Sequence, residues 1–376
     1  MARCPTAGSG GRRLAILLLA CAASTAPVAR AEPRRLADVP AGHWYEIPNS
    51  RLIDVAPSHS PGGSSAKVVA WSGAALDTKR SRLLVWGGGH SDYAGNEVYA
   101  FDLTTLAWQR LTEPSVADRA RTPLYPDGQP RARHTYNYIE YVPSRDRLVV
   151  FGASGPYPTG GGEFSRDLIE FDPSTNRWTT QGRSAIPVPG NMIGAQARLD
   201  ERTGKVFFIG SQRAALQAYD PGRDAWTAGW APTRVRVHAT AAIDPARREF
   251  YVIGSGVSAS PQMVRWNLDR PGPPEDLTRH TTGDTDIEAA YGPGFDYDAA
   301  RRRLVAWAGG TEVYVLDAES LRWTRVPAAA TNDADPGPGN STGTFGRFRY
   351  VASLGLFVLV NSAEQDVFVY RADSAH

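Results

Sequence analysis

Four stretches share one spacing: VYAFDLTTLAW (98–108), LIEFDPSTNRW (168–178), LQAYDPGRDAW (216–226) and VYVLDAESLRW (313–323). In each, an apolar run closes on an Asp and a Trp follows six positions later: Asp102/Trp108, Asp172/Trp178, Asp220/Trp226 and Asp317/Trp323. A spacing kept four times marks one supersecondary unit copied along the chain. Upstream of each copy lies a second shared pattern, a β-branched and aromatic run ending in small residues. Its instances are RLLVWGGG (82–89), RLVVFGAS (147–154), KVFFIGS (205–211), EFYVIGS (249–255), RLVAWAGG (303–310) and LFVLVNS (356–362). Short polar turns such as LDTKRS and LDERTG join five of these runs to an earlier strand. The unit therefore reads as strand, tight turn, strand ending in Gly or Ser, loop, strand ending in Asp, turn, and Trp strand. That is a four-stranded meander.

Six such units are predicted, with first strands starting near Ala66, His134, Met192, His238, Ala289 and Thr344. The fourth is degenerate, with MVRWNLD and EDLTRH in place of the Asp/Trp pair. The last supplies three strands, and HWYEIP (43–48) is expected to complete it and close the ring, pairing edges otherwise left open. The unit resembles the Kelch repeat in its diglycine-like end to the second strand and its aromatic in the fourth. The resemblance implies an all-β, six-bladed Kelch-type β-propeller with four-stranded antiparallel blades.

The first 31 residues read as a signal peptide. Arg12 and Arg13 form a basic start, Leu14 to Ala23 an apolar centre, and Ala29-Arg30-Ala31 a cleavage site. Residues 32–376 are then a single propeller domain, periplasmic or secreted. Leu18-Leu19-Ala20-Cys21 also resembles a lipobox, so the alternative is a lipid anchor at Cys21. The segment holds four Arg and no acid, so its removal turns the formal charge of +2 into −2. That argues against a nucleic-acid partner. Both cysteines, Cys4 and Cys21, lie in it, which excludes a disulfide, a thiolate ligand and a Cys nucleophile from the processed chain. No other run is apolar and long enough for a transmembrane helix, and a monomer is expected.

In a blade of this order, the start of the first strand and the loop between strands 2 and 3 share one face. Three sets of residues should meet there. Gly87-Gly88-Gly89-His90-Ser91-Asp92-Tyr93-Ala94-Gly95-Asn96-Glu97 is the first loop. The second is Ser154 to Arg166, with Tyr157. The strand starts add Arg133, His134, Tyr136, Arg236, His238, Tyr291, Arg347 and Arg349. The segments 113–130 and 327–343 should lie over this mouth, and SQRAALQA of the third unit is read as a plain crossing. His90 follows three glycines, which leave room for a ligand. Asp92, Tyr93 and Asn96 read equally as ligand groups or as loop stabilisers.

The loop GGGHSDYAGN, with His and Tyr from neighbouring units, resembles the propeller-type ulvan lyases. The resemblance implies a polysaccharide lyase cleaving a uronate-containing glycan by β-elimination. His90 and His238 would neutralise or orient the carboxylate, Tyr157 or Tyr136 would be base and acid, and Arg166 would hold the uronate. His134 is a further catalytic candidate; Tyr93, Asn96, Arg236, Tyr291 and Arg347 are candidates for substrate binding. No cofactor is required; His90 and Asp92 leave room for a divalent metal, and a copper-radical oxidase is excluded for want of a Cys. The alternatives are a sugar mutarotase of the sialic-acid type and a non-catalytic module binding an oligosaccharide or a protein at the same mouth.

Overall fold

The computed structural model describes residues 35–158, 165–188, 190–256 and 260–373. The predicted leader 1–31, with Cys21, and residues 159–164 of the second loop lie outside them. Six antiparallel sheets follow one another along the chain. Blade 1 is Ala74–Asp77, Arg82–Val85, Tyr99–Asp102 and Ala107–Arg110; blade 2 is Ile139–Val142, Arg147–Ala153, Ser165–Asp172 and Arg177–Thr179. Blade 3 is Asn191–Asp200, Lys205–Ala214, Gln217–Asp220 and Ala225–Thr227; blade 4 is Thr240–Asp244, Glu249–Ile253, Met263–Asn267 and the short Glu275–Asp276. Blade 5 is Gly294–Asp298, Arg303–Trp307, Val313–Asp317 and Arg322–Val326, with Thr282–Gly283 added in parallel at its outer edge. Blade 6 is Phe348–Val351, Leu356–Leu359 and Val367–Arg371, completed by His43–Ile47, which pairs with Val367–Arg371. The fold is thus a six-bladed propeller whose ring is closed by an N-terminal strand. Its helical content among the described residues is five short 3-10 turns, and no helix is long and apolar enough to cross a membrane.

The Asp-to-Trp spacing has a local cause. Each Asp ends the third strand, and one carboxylate oxygen accepts two backbone N–H groups of the following turn. Asp102 takes Thr104 and Thr105 at 2.7 and 2.9 Å, and Asp220 takes Gly222 and Arg223 at 3.0 and 3.2 Å. Asp317 takes Glu319 and Ser320. The turn then needs one left-handed residue, supplied by Leu106, Asn176, Asp224 and Leu321 with φ of 58°, 55°, 50° and 54°. That geometry sets the Trp opposite the residue before the Asp: Phe101↔Trp108, Phe171↔Trp178, Tyr219↔Trp226 and Leu316↔Trp323. Degenerate blade 4 keeps the turn, because Asn267 accepts from Asp269 and Arg270 at 3.0 and 2.8 Å.

The buried residues form clusters that join adjacent blades. Trp86 of blade 1 meets Trp178 of blade 2 at 4.7 Å between centroids, and Phe151 of blade 2 meets Phe208 of blade 3 at 6.1 Å. Trp44 of the closing strand packs on Tyr370 at 4.9 Å and Trp307 at 6.1 Å. Arg347, wholly buried, clips blade 6 to blade 1. Its Nε donates to Ser72 O at 2.8 Å and its Nη1 to Asn361 O at 2.9 Å.

One feature recurs in all six blades, just before the first strand in five and at an irregularity within it in blade 3: a residue in the left-handed region. These are Trp71 (φ 46°), Tyr136 (42°), Gly194 (74°), His238 (57°), Gly292 (49°) and Phe345 (50°). The predicted strand starts at Ala66, His134, His238, Ala289 and Thr344 thus fall on this approach, and five of the six inner strands begin later, at Ala74, Ile139, Thr240, Gly294 and Phe348. The left-handed residues hold one another around the axis. Tyr136 N donates to Trp71 O at 2.8 Å, Gly292 N to His238 O at 2.9 Å and Phe345 N to Gly292 O at 3.1 Å. Gly194 backs directly onto His238, where a Cβ would stand 2.1 Å from His238 N. An L residue in this region costs about 1–2 kcal/mol, so four non-glycine members keep it only because the ring holds them there.

Four positions further along, the inner strands carry Ala75, Glu140, Arg198, Ala242, Asp296 and Arg349. The charged four pair across the channel. Arg349 Nη2 donates to Glu140 Oε2 at 3.0 Å, Arg198 Nη2 donates to Asp296 Oδ1, and Arg198 Nη1 lies 3.8 Å from Glu140 Oε2. Beyond them a cavity of about 580 Å³ opens at the far end of the channel, walled by Leu76, Tyr141, Leu199, Ile243, Tyr297 and Tyr350.

Candidate functional site

The aromatic members of the left-handed ring meet at the near end of the channel. Tyr136 crosses Phe345 edge-on at 5.6 Å and lies 5.6 Å from His238. His238 stacks on Tyr291 at 4.5 Å, and Trp71 Nε1 donates to the Tyr291 hydroxyl at 2.8 Å. Groups from blades 1, 2, 4, 5 and 6 thereby form one aromatic floor. Trp71 and Phe345 were not singled out from the sequence, since a lone aromatic before a strand gives no signal until the ring is seen.

Above this floor sits a carboxylate shared by two imidazoles. His134 Nε2 lies 3.2 Å from Asp92 Oδ2 and His90 Nδ1 lies 3.7 Å from the same oxygen. The two rings are near-parallel, 5.7 Å apart and 12° off plane. His134 is buried between Trp71, at 4.8 Å, and His90. The His90 side chain is 42% exposed and faces solvent. Its backbone adopts φ 52°, its N donates to Gly155 O of the second loop at 2.7 Å, and its Nδ1 lies 3.2 Å from Ser91 Oγ. Gly89 makes this approach feasible, because a Cβ there would stand 2.3 Å from the Arg133 Cα. His90, His134, Tyr136, His238 and Tyr291 therefore form a continuous row of rings, with neighbouring centroids 4.5–5.9 Å apart.

The charges follow from burial. The hydrogen bond from His134 holds the Asp92 carboxyl below its ordinary range, with lesser help from His90 and Lys67. Burial pulls His134 down against the pull of Asp92, so its imidazole is neutral near pH 7. A neutral imidazole meets a carboxylate through its N–H, which puts the proton on Nε2 and the lone pair on Nδ1. Burial also takes His238 down to about 4, and its Nδ1 is buried without a hydrogen-bond partner. His238 is thus uncharged near neutrality and can orient a carboxylate by hydrogen bonding, not neutralise it. Burial raises Tyr136 and Tyr291. Tyr136 is 4% exposed, so as a base it would have to give up its proton inside the floor.

Several other expected ligand groups are used up within the fold. Tyr93 is fully buried and donates to Glu97 Oε1 at 2.5 Å. Asn96 Nδ2 donates to Ser115 Oγ and Pro130 O at 2.9 and 3.0 Å, which fastens the segment 113–130 to the first loop. Arg347 gives its donors to backbone carbonyls, and burial without a counter-ion pulls it down to about 9. These three do not face a ligand. Arg166 donates to Ile186 O and Pro187 O at 2.6 and 2.8 Å while remaining exposed. Tyr157 is half-buried beside Gly62, with its N donating to Ala132 O at 2.9 Å. Arg236 is half-buried next to His238. No cluster of three or more His, Cys, Asp or Glu suited to a metal occurs among the described residues.

The Kelch motif family matches residues 130–183, which span blade 2. No curated protein matches the sequence significantly. The same four-stranded unit closing six times around one channel makes the protein a six-bladed β-propeller, with a Kelch motif matched in blade 2.

Proposed function

We propose that the protein is exported and cleaves a uronate-containing polysaccharide by β-elimination at the His90 mouth. The observation that carries this reading is the carboxylate of Asp92 shared by two parallel imidazoles, one buried and one facing solvent. Blade closure has no use for that arrangement. Elimination needs a group to neutralise the uronate carboxylate, a base for the neighbouring carbon-bound proton, and an acid for the departing oxygen. His90, the solvent-facing imidazole beside Asp92, is placed to hydrogen-bond the uronate carboxylate. His238 donates a hydrogen bond from the floor. Tyr157, on the loop whose Gly155 carbonyl holds His90, removes the proton. The C–H electron pair becomes the new C=C bond, the C–O bond breaks, and the leaving oxygen takes a proton from the same Tyr. Arg166 and Arg236 hold neighbouring uronates.

The test is ultraviolet absorbance of the unsaturated product on ulvan, alginate, pectate and glucuronan. His90→Ala should slow turnover by about 10²–10⁴; no product from the unsubstituted protein on any of the four sinks the reading. One observation favours a second reading, a non-catalytic glycan-binding propeller: Tyr136 and His238 are both packed into the floor. Binding to these glycans without product formation selects it.

A further inference from the structure

Blade 3 departs from the six-fold pattern where SQRAALQA was expected to be a plain crossing. Its second strand runs on past its neighbours, and the extension pairs with Thr233–Val235 in the register Gln212↔Val235, Arg213↔Arg234 and Ala214↔Thr233. Two arginines thus stand directly opposite each other. Like charges at that position repel and destabilise a strand pair, with Cβ atoms about 4.5–5.5 Å apart. Arg236 follows just past the end of the Thr233–Val235 strand and lines the same concavity.

Among the described residues no carboxylate relieves the repulsion. Among the described residues the side chains of Arg213, Arg234 and Arg236 make no ion pair and no hydrogen bond, although Arg80, Arg145, Arg198 and Arg248 all bind acids. All three line one concavity of about 870 Å³, together with Pro232, Val237 and Gly256. That concavity abuts the row of rings, since a Cβ on Gly256 would stand 3.4 Å from His238 Nδ1.

We infer that Arg213, Arg234 and Arg236 form a ladder of anion-binding groups for an acidic polysaccharide leaving the mouth at its His238 end, an inference that rests on the acidic-glycan reading of that mouth. Three uncompensated guanidinium groups lining one concavity fit a polymer that carries repeated carboxylate or sulfate groups. The lining carries no aromatic ring on which nucleic-acid bases could stack.

The experiment is titration calorimetry of the full chain with oligogalacturonate, galacturonate monomer, dextran sulfate and oligo-dT. R213Q/R234Q should weaken oligogalacturonate or dextran sulfate about tenfold or more and flatten the salt dependence, leaving the monomer unaffected. R213K/R234K should keep most of the affinity. Which polymer binds more tightly assigns carboxylate or sulfate as the recognised anion. The melting temperature of R213Q/R234Q should be unchanged or raised, because a repulsive pair is removed. Equal oligomer affinity in R213Q/R234Q, oligo-dT bound as tightly as the glycans, or no acidic glycan bound at all overturns the ladder. Loss of binding in R213Q/R234Q while no protein forms unsaturated product leaves the ladder standing and removes the lyase reading. Turnover with an unchanged KM in R213Q/R234Q does the reverse.

Discussion

The two ends of the channel are closed in opposite ways. At the far end, buried Glu140, Arg198 and Arg349 and half-buried Asp296 each face a side chain of opposite sign across the axis. At the near end, the floor is made of rings, and half-buried His238 within it and buried His134 above it are both neutral. Beside the near-end floor lie the solvent-facing ring of His90, the orphaned Nδ1 of His238, and the arginine pair 213 and 234. Charges matched inside a protein fix how its parts sit together, whereas charges and donors left unmatched beside a cavity are available to something else. This contrast supports the proposal of binding at the near end and of a structural role for the far end.

The contrast breaks most readily at Arg349. Arg349→Ala leaves Glu140 buried with Arg198 Nη1 at 3.8 Å as its nearest remaining cation. Removing one partner of a buried pair costs about 3–5 kcal/mol, to be read by urea denaturation. An isolated loss of glycan binding without that loss of stability would reverse the assignment of the two ends. The next effect is a dependence on pH. His238 titrates at about 4 in the fold and at about 6.5 when unfolded. Between those values the unfolded chain binds a proton that the folded one refuses. Its contribution is therefore complete above pH 6.5 and is lost as pH falls toward 4, on the order of 3 kcal/mol in all. His238→Phe should flatten that part of the stability-against-pH curve, measured by denaturation at pH 4 and pH 7. Gly194→Ala comes third. It puts a methyl against the His238 backbone at a φ of 74°, for about 2 kcal/mol by thermal melting, and should disturb glycan binding through His238 as well.

The repeat was readable because its turn chemistry is local. An Asp that takes two N–H groups and a left-handed residue before the Trp must keep their spacing, so four copies announced the blades and the closing strand 43–48. The left-handed ring was not readable. Its six positions hold Trp, Tyr, Gly, His, Gly and Phe, which share a backbone angle and no side-chain chemistry. His134 and His238 were both picked as strand starts, yet only His238 occupies the ring. The internal partners of Tyr93, Asn96 and Arg347 were hidden for another reason. Polar groups in an elaborate loop suggested a ligand, but a loop that leaves the sheet must first satisfy its own donors and acceptors. The arginine pair was hidden because its partners lie about twenty residues apart and meet only through the strand register.

The smallest expected effect on stability is the most discriminating. His90 is the member of the row whose ring faces solvent, and its fold contacts are mostly backbone: its N holds Gly155, and its left-handed φ shapes the turn. His90→Asn keeps a residue tolerant of that backbone region and removes the imidazole. Stability should change by less than about 0.5 kcal/mol, as at other exposed positions, while turnover or glycan affinity falls by at least an order of magnitude. His134→Asn should behave differently, because it takes a buried ring from between Trp71 and His90 and the donor from Asp92. If both variants lose stability equally and keep glycan binding, the shared carboxylate is a strut of the loop and the near end is structural too. If only His134→Asn is destabilised while both lose binding, Asp92 serves two masters, holding one imidazole inside the fold and aiming the other at a ligand.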